Sequence, residues 1–252
     1  MVMKHSIYGH VIIPVIIAVL AFLPSTTSAT EAEYNETDPG VFTTHPSTTP
    51  WFDQNNIHGS FIYHYPLSIP PGRQGLQPSL ELTYNSYNTS VNGFVGYGWN
   101  LAIPSIERLN KTGLEDLYGA TDLTSSLWGE LEAVSLTDTT HGTYGAKVET
   151  GSYATMTYES GESWSVVDAQ GTTYTFGSSA SSQVVDPSDA THVYRWMLSE
   201  IRDQNDNYIA YTYTSDSNQL YPSSITYTGN GTTSGIFSIQ LTYETRADAN
   251  VS

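Results

Sequence analysis

Cysteine is absent from this 252-residue chain, which excludes a disulfide framework, a thiolate nucleophile and thiolate metal ligands. Stability must then come from a buried core. About 220 residues beyond the first 29 suffice for one large β domain or two small ones and can bury ~70% of their unfolded surface. Basic residues are scarce, with 8 Lys and Arg against 25 Asp and Glu and a net charge of −17. Nucleic acid and anionic membranes are held through Lys and Arg contacts to phosphate, so this balance disfavours both as partners. Long apolar runs are missing too. Val11–Leu23 reaches thirteen residues and contains Pro14, short of the ~20 that a membrane-spanning helix needs. No G-x-S-x-G, H-E-x-x-H, Walker A or paired Cys/His pattern occurs, so the sequence offers no catalytic residue, metal ligand set or cofactor site.

What is present is tyrosine. Nineteen of them, with abundant Thr and Ser and few Lys, Arg, Ala or Leu, favour strands over helices. The expected class is all-β, an antiparallel meander of hairpins. Residues 1–29 read as a cleaved export signal: Lys4 and His5 start it, the Val11–Leu23 run follows, and Thr27-Ser28-Ala29 offers small residues for cleavage. That implies a secreted protein with no stable membrane span. Residues 30–58 are rich in Thr, Pro, Asn and Glu without apolar periodicity and read as a flexible leader, with Trp51-Phe52 as its docking point. The β domain is expected over 59–246, and 247–252 as an unstructured end.

The rest of the chain is organised around Gly59 to Arg108. Two alternating patterns, Phe61/Tyr63/Tyr65 and Leu80/Leu82/Tyr84, flank a Pro70-Pro71-Gly72-Arg73-Gln74-Gly75 segment, as in a hairpin. The prolines fix φ and remove donors, so the ladder cannot run through them, and Gly72 and Gly75 are expected to supply positive φ. Asn92-Gly93 reads as the next reversal. Gly96 and Gly98 around Tyr97 would let backbone pass close under a large ring.

Tyr65-Pro66, Pro70-Pro71-Gly72-Arg73, Gly75, Pro78, Tyr84-Asn85-Ser86, Asn92-Gly93, Gly96, Gly98-Trp99 and Arg108, taken in order, resemble the opening segment of two related families. These are the Salmonella virulence plasmid B protein family and the B components of insecticidal toxin complexes (Tc toxins), both relatives of RHS/YD-repeat proteins. The likeness runs from about residue 59 to 228 and is densest over 59–108 and 193–213.

After Arg108 the pattern weakens, and residues 110–142 fit either short strands or strands with one helical turn. Order returns in a meander: Met156/Tyr158, then Trp164/Val166, then Thr172 to Phe176, with turns at Gly161 and Gly171. Val193 to Asp203, which carries Trp196, is followed by a turn and by Tyr208 to Thr214, where Ile209, Tyr211 and Tyr213 share one face. This pair resembles a YD-type repeat spanning about 193–228, with Asp203, Asn207, Tyr211 and Tyr213 at its marked positions. RHS-like repeats commonly place Gly before the turn Asn. This chain has Asp206, which tolerates the left-handed conformation. The last strand alternates Phe237/Ile239/Leu241/Tyr243 inward and is expected to end as an open edge.

Candidate chemistry is weighed residue by residue. His64, between Tyr63 and Tyr65, suits a packed or solvent-facing strand position better than a ligand. Asp203-x-Asn205-x-Asn207 has a calcium-loop flavour but lacks the sixth-position Gly and twelfth-position Glu, so it reads as a turn. Asp168, Glu149, Glu159 and Glu200 are carboxylates available for glycoside hydrolysis, and sequence does not set their separations. Arg73 is expected to bond turn carbonyls, and Arg108 to stack on Trp99 or neutralise a buried acid. The tyrosine faces could form a glycan platform, but with this many strands half-buried strand positions are the preferred reading. The N-x-[ST] triplets at Asn35, Asn88, Asn110, Asn230 and Asn250 matter only in a host that glycosylates its exports, which the bacterial resemblance argues against.

The resemblance implies a secreted structural module, the first part of a β-sheet shell that encloses or delivers a toxin polypeptide. Its partners would be downstream shell domains of the same longer protein or RHS-like subunits. Two other readings stand beside it: an adhesin-like or glycan-binding β module, and a secreted glycoside hydrolase.

Overall fold

The computed structural model describes residues 18–19, 51–52, 59–88 and 95–244. Seventeen strands run through them in two antiparallel sheets, with one 3-10 turn at Ala180–Ser182. Apart from Ala18–Val19, the expected export signal lies outside the described residues, as does most of the leader. Ala18–Val19 (β1) pairs with the last strand.

The smaller sheet has the order β2 (Trp51–Phe52), β3 (Ile62–Pro66), β4 (Glu81–Asn85) and β5 (Trp99–Leu101). Tyr63 faces Tyr84, and Tyr84 in turn faces Trp99. The Trp99 ring meets Tyr63 edge-on at 6.2 Å and Tyr84 tilted at 5.4 Å, the arrangements an aromatic quadrupole favours. Trp51 and Phe52 dock on this sheet by pairing with His64 and Tyr63.

The turn segments behave partly as the residues suggest. Gly75 has φ 84°, but Gly72 does not have positive φ; Gln74 does, at 52°. Gly72 is needed for space: a Cβ there would sit 1.9 Å from the Leu76 carbonyl oxygen. At Gly98 both demands meet, since φ is 78° and a Cβ would lie 2.5 Å from the Tyr84 ring. Asn92-Gly93 lies outside the described residues.

The larger sheet contains a closed barrel. β6 (Ser105–Arg108), β7 (Leu123–Ser125), β8 (Gly129–Leu136), β9 (Gly142–Ala146), β10 (Thr155–Glu159), β11 (Ser163–Val167) and β12 (Thr173–Phe176) pair in chain order. β12 then pairs with β14 (Asp189–Arg202), and β14 returns to β6 through Trp196↔Ile106. That makes eight strands, a size whose interior side chains can fill.

Closure depends on the length of β14. One edge carries β12 and then, after the 3-10 turn, β13 (Gln183–Asp186). The opposite edge is shared: residues 195–197 pair with β6, while Glu200 to Arg202 pair with β15 (Asn207–Asp216). From that fork β15, β16 (Gln219–Asn230) and β17 (Phe237–Gln240) continue as an open sheet. The alternation expected for the last strand extends past it, with Leu241 buried and Thr242 and Glu244 exposed, but pairing ends at Gln240. Its outer edge is not bare, because β1 pairs there.

Between β6 and β9 the segment is short strands plus one helical turn, in which Ala120 N donates to Asp116 O at 2.9 Å. At the β10–β11 turn the left-handed residue is Glu162, φ 56°, rather than Gly161. The barrel core is aromatic. Tyr158 stacks on Trp164 at 4.7 Å, and Trp196 meets both edge-on at 5.1 and 5.9 Å. Met156, Val166, Phe176, Ile106 and Leu123 are fully buried around them. Trp164 Nε1 is buried without a hydrogen-bond partner among the described residues.

Candidate functional site

Among the described residues Arg108 is the buried cation, 5% exposed at the seam where β6 meets β14. Its Nε donates to Val193 O at 2.9 Å, with longer bonds to Ala120 O at 3.3 Å and Tyr158 Oη at 3.4 Å. The guanidinium lies 5.2 Å from the Trp196 ring centroid and 5.7 Å from that of Tyr118. The expected stacking on Trp99 is not found, because Trp99 belongs to the other sheet. Nor is a carboxylate in direct contact. The charge reaches Glu162 through the Tyr158 hydroxyl, which donates to Glu162 Oε2. Burial, followed by the Glu162 bond, pushes the Tyr158 phenol far up, so it remains a donor.

Glu162 organises one end of the barrel. Its carbonyl accepts from Trp196 Nε1 at 2.9 Å and Gln183 Nε2 at 2.7 Å. Its carboxylate also meets His141 Nε2 at 3.1 Å, while His141 Nδ1 meets Asp138 Oδ2 at 2.8 Å. Asp138 accepts the backbone N–H groups of His141 and Thr140, which hold its carboxyl down to about 2. The cluster ties the β8–β9 loop to the β10–β11 turn. Composition and spacing gave no sign of it, since its members lie in three separate stretches of chain.

A second knot joins the two sheets. Asn207 is 2% exposed, and its Nδ2 donates to Asp203 Oδ2 at 2.8 Å and to Gln74 Oε1 at 3.0 Å. Its Oδ1 accepts from Asn230 Nδ2 at 3.0 Å. Asp203 also accepts from the backbone of Asn205 and Asn207 at 2.8 and 2.9 Å, so the Asp-x-Asn-x-Asn stretch is a turn in which the Asp203 and Asn207 side-chain oxygens are already used. Burial raises the Asp203 carboxyl, and the Asn207 and Asn205 bonds outweigh it, leaving a net lowering. Asp206 occupies the left-handed position at φ 60°. Tyr227 Oη adds a bond to Pro70 O at 2.9 Å, so the Pro70-to-Gly75 segment is held against β15 and β16 at two points. Arg73 itself points outward, exposed and without a side-chain partner among the described residues, contrary to the expected bonding to turn carbonyls.

The other sequence candidates are dispersed. Tyr65 is half exposed at 45%, Tyr84 and Trp99 pack in the small sheet, and Pro78 is buried. Asn85 and Ser86 set the corner: Ser86 Oγ accepts Phe61 N at 2.8 Å, and Asn85 N donates to Gly98 O at 2.8 Å. Gly96 takes φ 114°, and Gly93 lies outside the described residues. Tyr211 and Tyr213 are each 8% exposed, so that face is turned into the core and does not offer the alternative glycan platform. Tyr213 Oη donates to Leu198 O at 2.5 Å.

Three of the four candidate carboxylates are committed to local structure, and the fourth, Glu159, is exposed at the end of β10. Asp168 accepts Gln170 N and Thr172 N at 2.9 Å each, Glu149 accepts three consecutive backbone N–H groups, and Glu200 pairs with Arg202 at 2.8 Å. His64 Nδ1 lies 2.6 Å from Glu81 across the strand pair. Among the described residues no group of three His, Asp or Glu side chains could hold a metal ion, and no helix is long and apolar enough to cross a membrane. What this arrangement does chemically is hold sheets together.

Known proteins share this architecture. The N-terminal domain of the effector SpvB from Salmonella typhimurium strain LT2 superposes with a TM-score of 0.55 at 22% identity, over 68% of this chain and 65% of that one. TcdB2–TccC3 gives 0.62 at 19%, over 82% of this chain and 11% of that one. The Photorhabdus luminescens Tc holotoxin pore gives 0.58 at 20%, over 71% and 10%. The chain thus spans about two thirds of the Salmonella domain and about a tenth of the Tc chains. At these identities the likeness shows the fold. No match was found among curated protein sequences. The model of the Salmonella virulence plasmid 65kDa B protein family matches residues 55–235, most of the sequence, and the chain belongs to that family.

Proposed function

We propose that this chain is a secreted structural module of a longer toxin-like protein, forming the first part of a β-sheet shell that encloses or delivers a toxin polypeptide. The observation that carries the reading is the forked β14. It lets one chain close a barrel and also start an open sheet, β15 to β17, whose outer edge holds, among the described residues, the two residues of β1, which leave with the signal. A strand edge of that kind pairs with further strands. The fold likeness to TcdB2–TccC3 and the polar groups consumed by internal knots support the same reading. Its partners are downstream shell domains or RHS-like toxin subunits, reached after the signal at 1–29 is removed. Residues 30–58 act as the leader, 59–246 as the β domain with the repeat unit at 193–228, and catalysis belongs elsewhere.

The test is to isolate the native protein from culture medium with an antibody to this domain. Gel filtration and limited proteolysis then follow. The expected result is a mature N-terminus at Thr30 and a large particle in which one polypeptide resists protease until the particle is dissociated. A free species of this chain's own mass, with no protected polypeptide, would refute the shell role.

A further inference from the structure

A cavity of about 650 Å³ lies where the chain on either side of the small sheet crosses the face of β12, β14 and β15. That volume falls within the ~300–1,000 Å³ typical of ligand pockets. Leu76, Leu80, Ile103, Met197, Ile201 and Ile209 give it apolar walls. No Asp or Glu lines it, in a protein that carries 25 of them. Arg195 is its charged lining residue, already neutralised by Glu107 at 2.5 to 2.6 Å. Tyr211 also lines the cavity. It is 8% exposed, and its hydroxyl has no hydrogen-bond partner among the described residues.

The hydroxyl is not sealed inside the protein but open to the cavity, where a bound molecule can reach it. The other β15 tyrosine that faces inward, Tyr213, is bonded to Leu198 O. We propose that this cavity is a binding site for a small uncharged apolar molecule carrying a hydrogen-bond acceptor, such as a ketone or ester oxygen, which takes the Tyr211 O–H. Burial, and then the neighbouring Tyr174, push the Tyr211 phenol up, so it stays protonated and offers a donor. A charged ligand would lose its hydration here and find no free counter-ion. The apolar walls supply affinity and the Tyr211 phenol supplies orientation, because the other phenol in the lining, Tyr174, already donates to Asp168 Oδ2 at 3.3 Å. Neither feature depends on the shell role, so the site is present in the isolated chain whether or not that role holds.

The test uses prodan, an uncharged naphthyl ketone whose emission shifts to the blue in apolar surroundings, titrated into the purified chain. The expected result is saturable, blue-shifted binding at one site. Tyr211→Phe should raise the Kd roughly three- to tenfold, the worth of one neutral hydrogen bond, with no fall in melting temperature. Ala102→Trp, which adds bulk at an exposed lining position, should abolish binding while the fold is retained by circular dichroism. Absence of saturable binding overturns the proposal, as does binding unchanged in both variants. A lower melting temperature for Tyr211→Phe would overturn it too, because the hydroxyl would then have a structural partner.

Discussion

Replacing Arg108 by Ala tests the account of barrel closure most directly. β6 and β14 share only three register pairs, Arg195↔Glu107 to Met197↔Ser105, and the Arg108 side chain extends that seam by bonding Val193 O. A charge-assisted bond at 2.9 Å is worth ~1.5–3 kcal/mol, while the bonds at 3.3 and 3.4 Å add less. Placement over Trp196 and Tyr118 contributes ~0.5–2 kcal/mol more. Truncation also leaves Val193 O buried and opens a void. These losses overlap, and the net cost should be about 3–5 kcal/mol. Arg108→Met should cost less than Arg108→Ala, because it fills the space and removes the cation's desolvation along with its bonds. Urea denaturation followed by tryptophan fluorescence and far-UV circular dichroism measures both. A loss below about 1 kcal/mol for Arg108→Ala would refute the reasoning, since a buried cation with these contacts cannot be that cheap to remove.

Asn207→Ala removes three side-chain bonds that link Asp203, Gln74 and Asn230, and should cost about 2–4 kcal/mol in the same assay. Gln74→Ala, which takes away one of them, should cost less, and equal effects would contradict the knot. Asp206→Gly relieves a left-handed backbone at φ 60° and should be neutral or stabilising by up to about 1 kcal/mol, read as a small rise in melting temperature. Asp203 and Asp138 have carboxyls lowered on folding, so their contribution is full above the unfolded value near 3.8 and is lost as pH falls through the folded values. Acid titration by circular dichroism should show unfolding beginning below about pH 4, and Asp203→Asn should weaken that dependence. At the other end, burial raises the phenols of Tyr144, to about 12, and of Tyr158 and Tyr213 further. Their contribution is full below the unfolded value of 10.0 and is lost as pH rises through the folded values, so alkaline unfolding should begin above that point.

Local rules made much of this fold legible. Period-two alternation separates buried Met156 and Tyr158 from the half-buried or exposed residues beside them, and it does the same for Trp164 and Val166 and for Ile209, Tyr211 and Tyr213. Proline and glycine chemistry marks where ladders break between β3 and β4, and Asp206 takes the left-handed position that its side chain tolerates. Alternation, however, says which residues share a face and is silent on which face turns inward. Hence a platform of Tyr211 and Tyr213 stood as an alternative to packed strand positions, and the sheet packs them. Strand neighbours are not encoded locally either. The fork in β14, the partner of Arg108 and the Asn207–Gln74 bond across 133 positions arise when distant segments meet, and the whole packed arrangement offsets the entropy of bringing them together. The sequence by itself determined the strongly alternating strands, the places where they turn and which residues share a face. Tertiary structure decided that eight of the strands close on one another, which side became the core, and where a cavity remained.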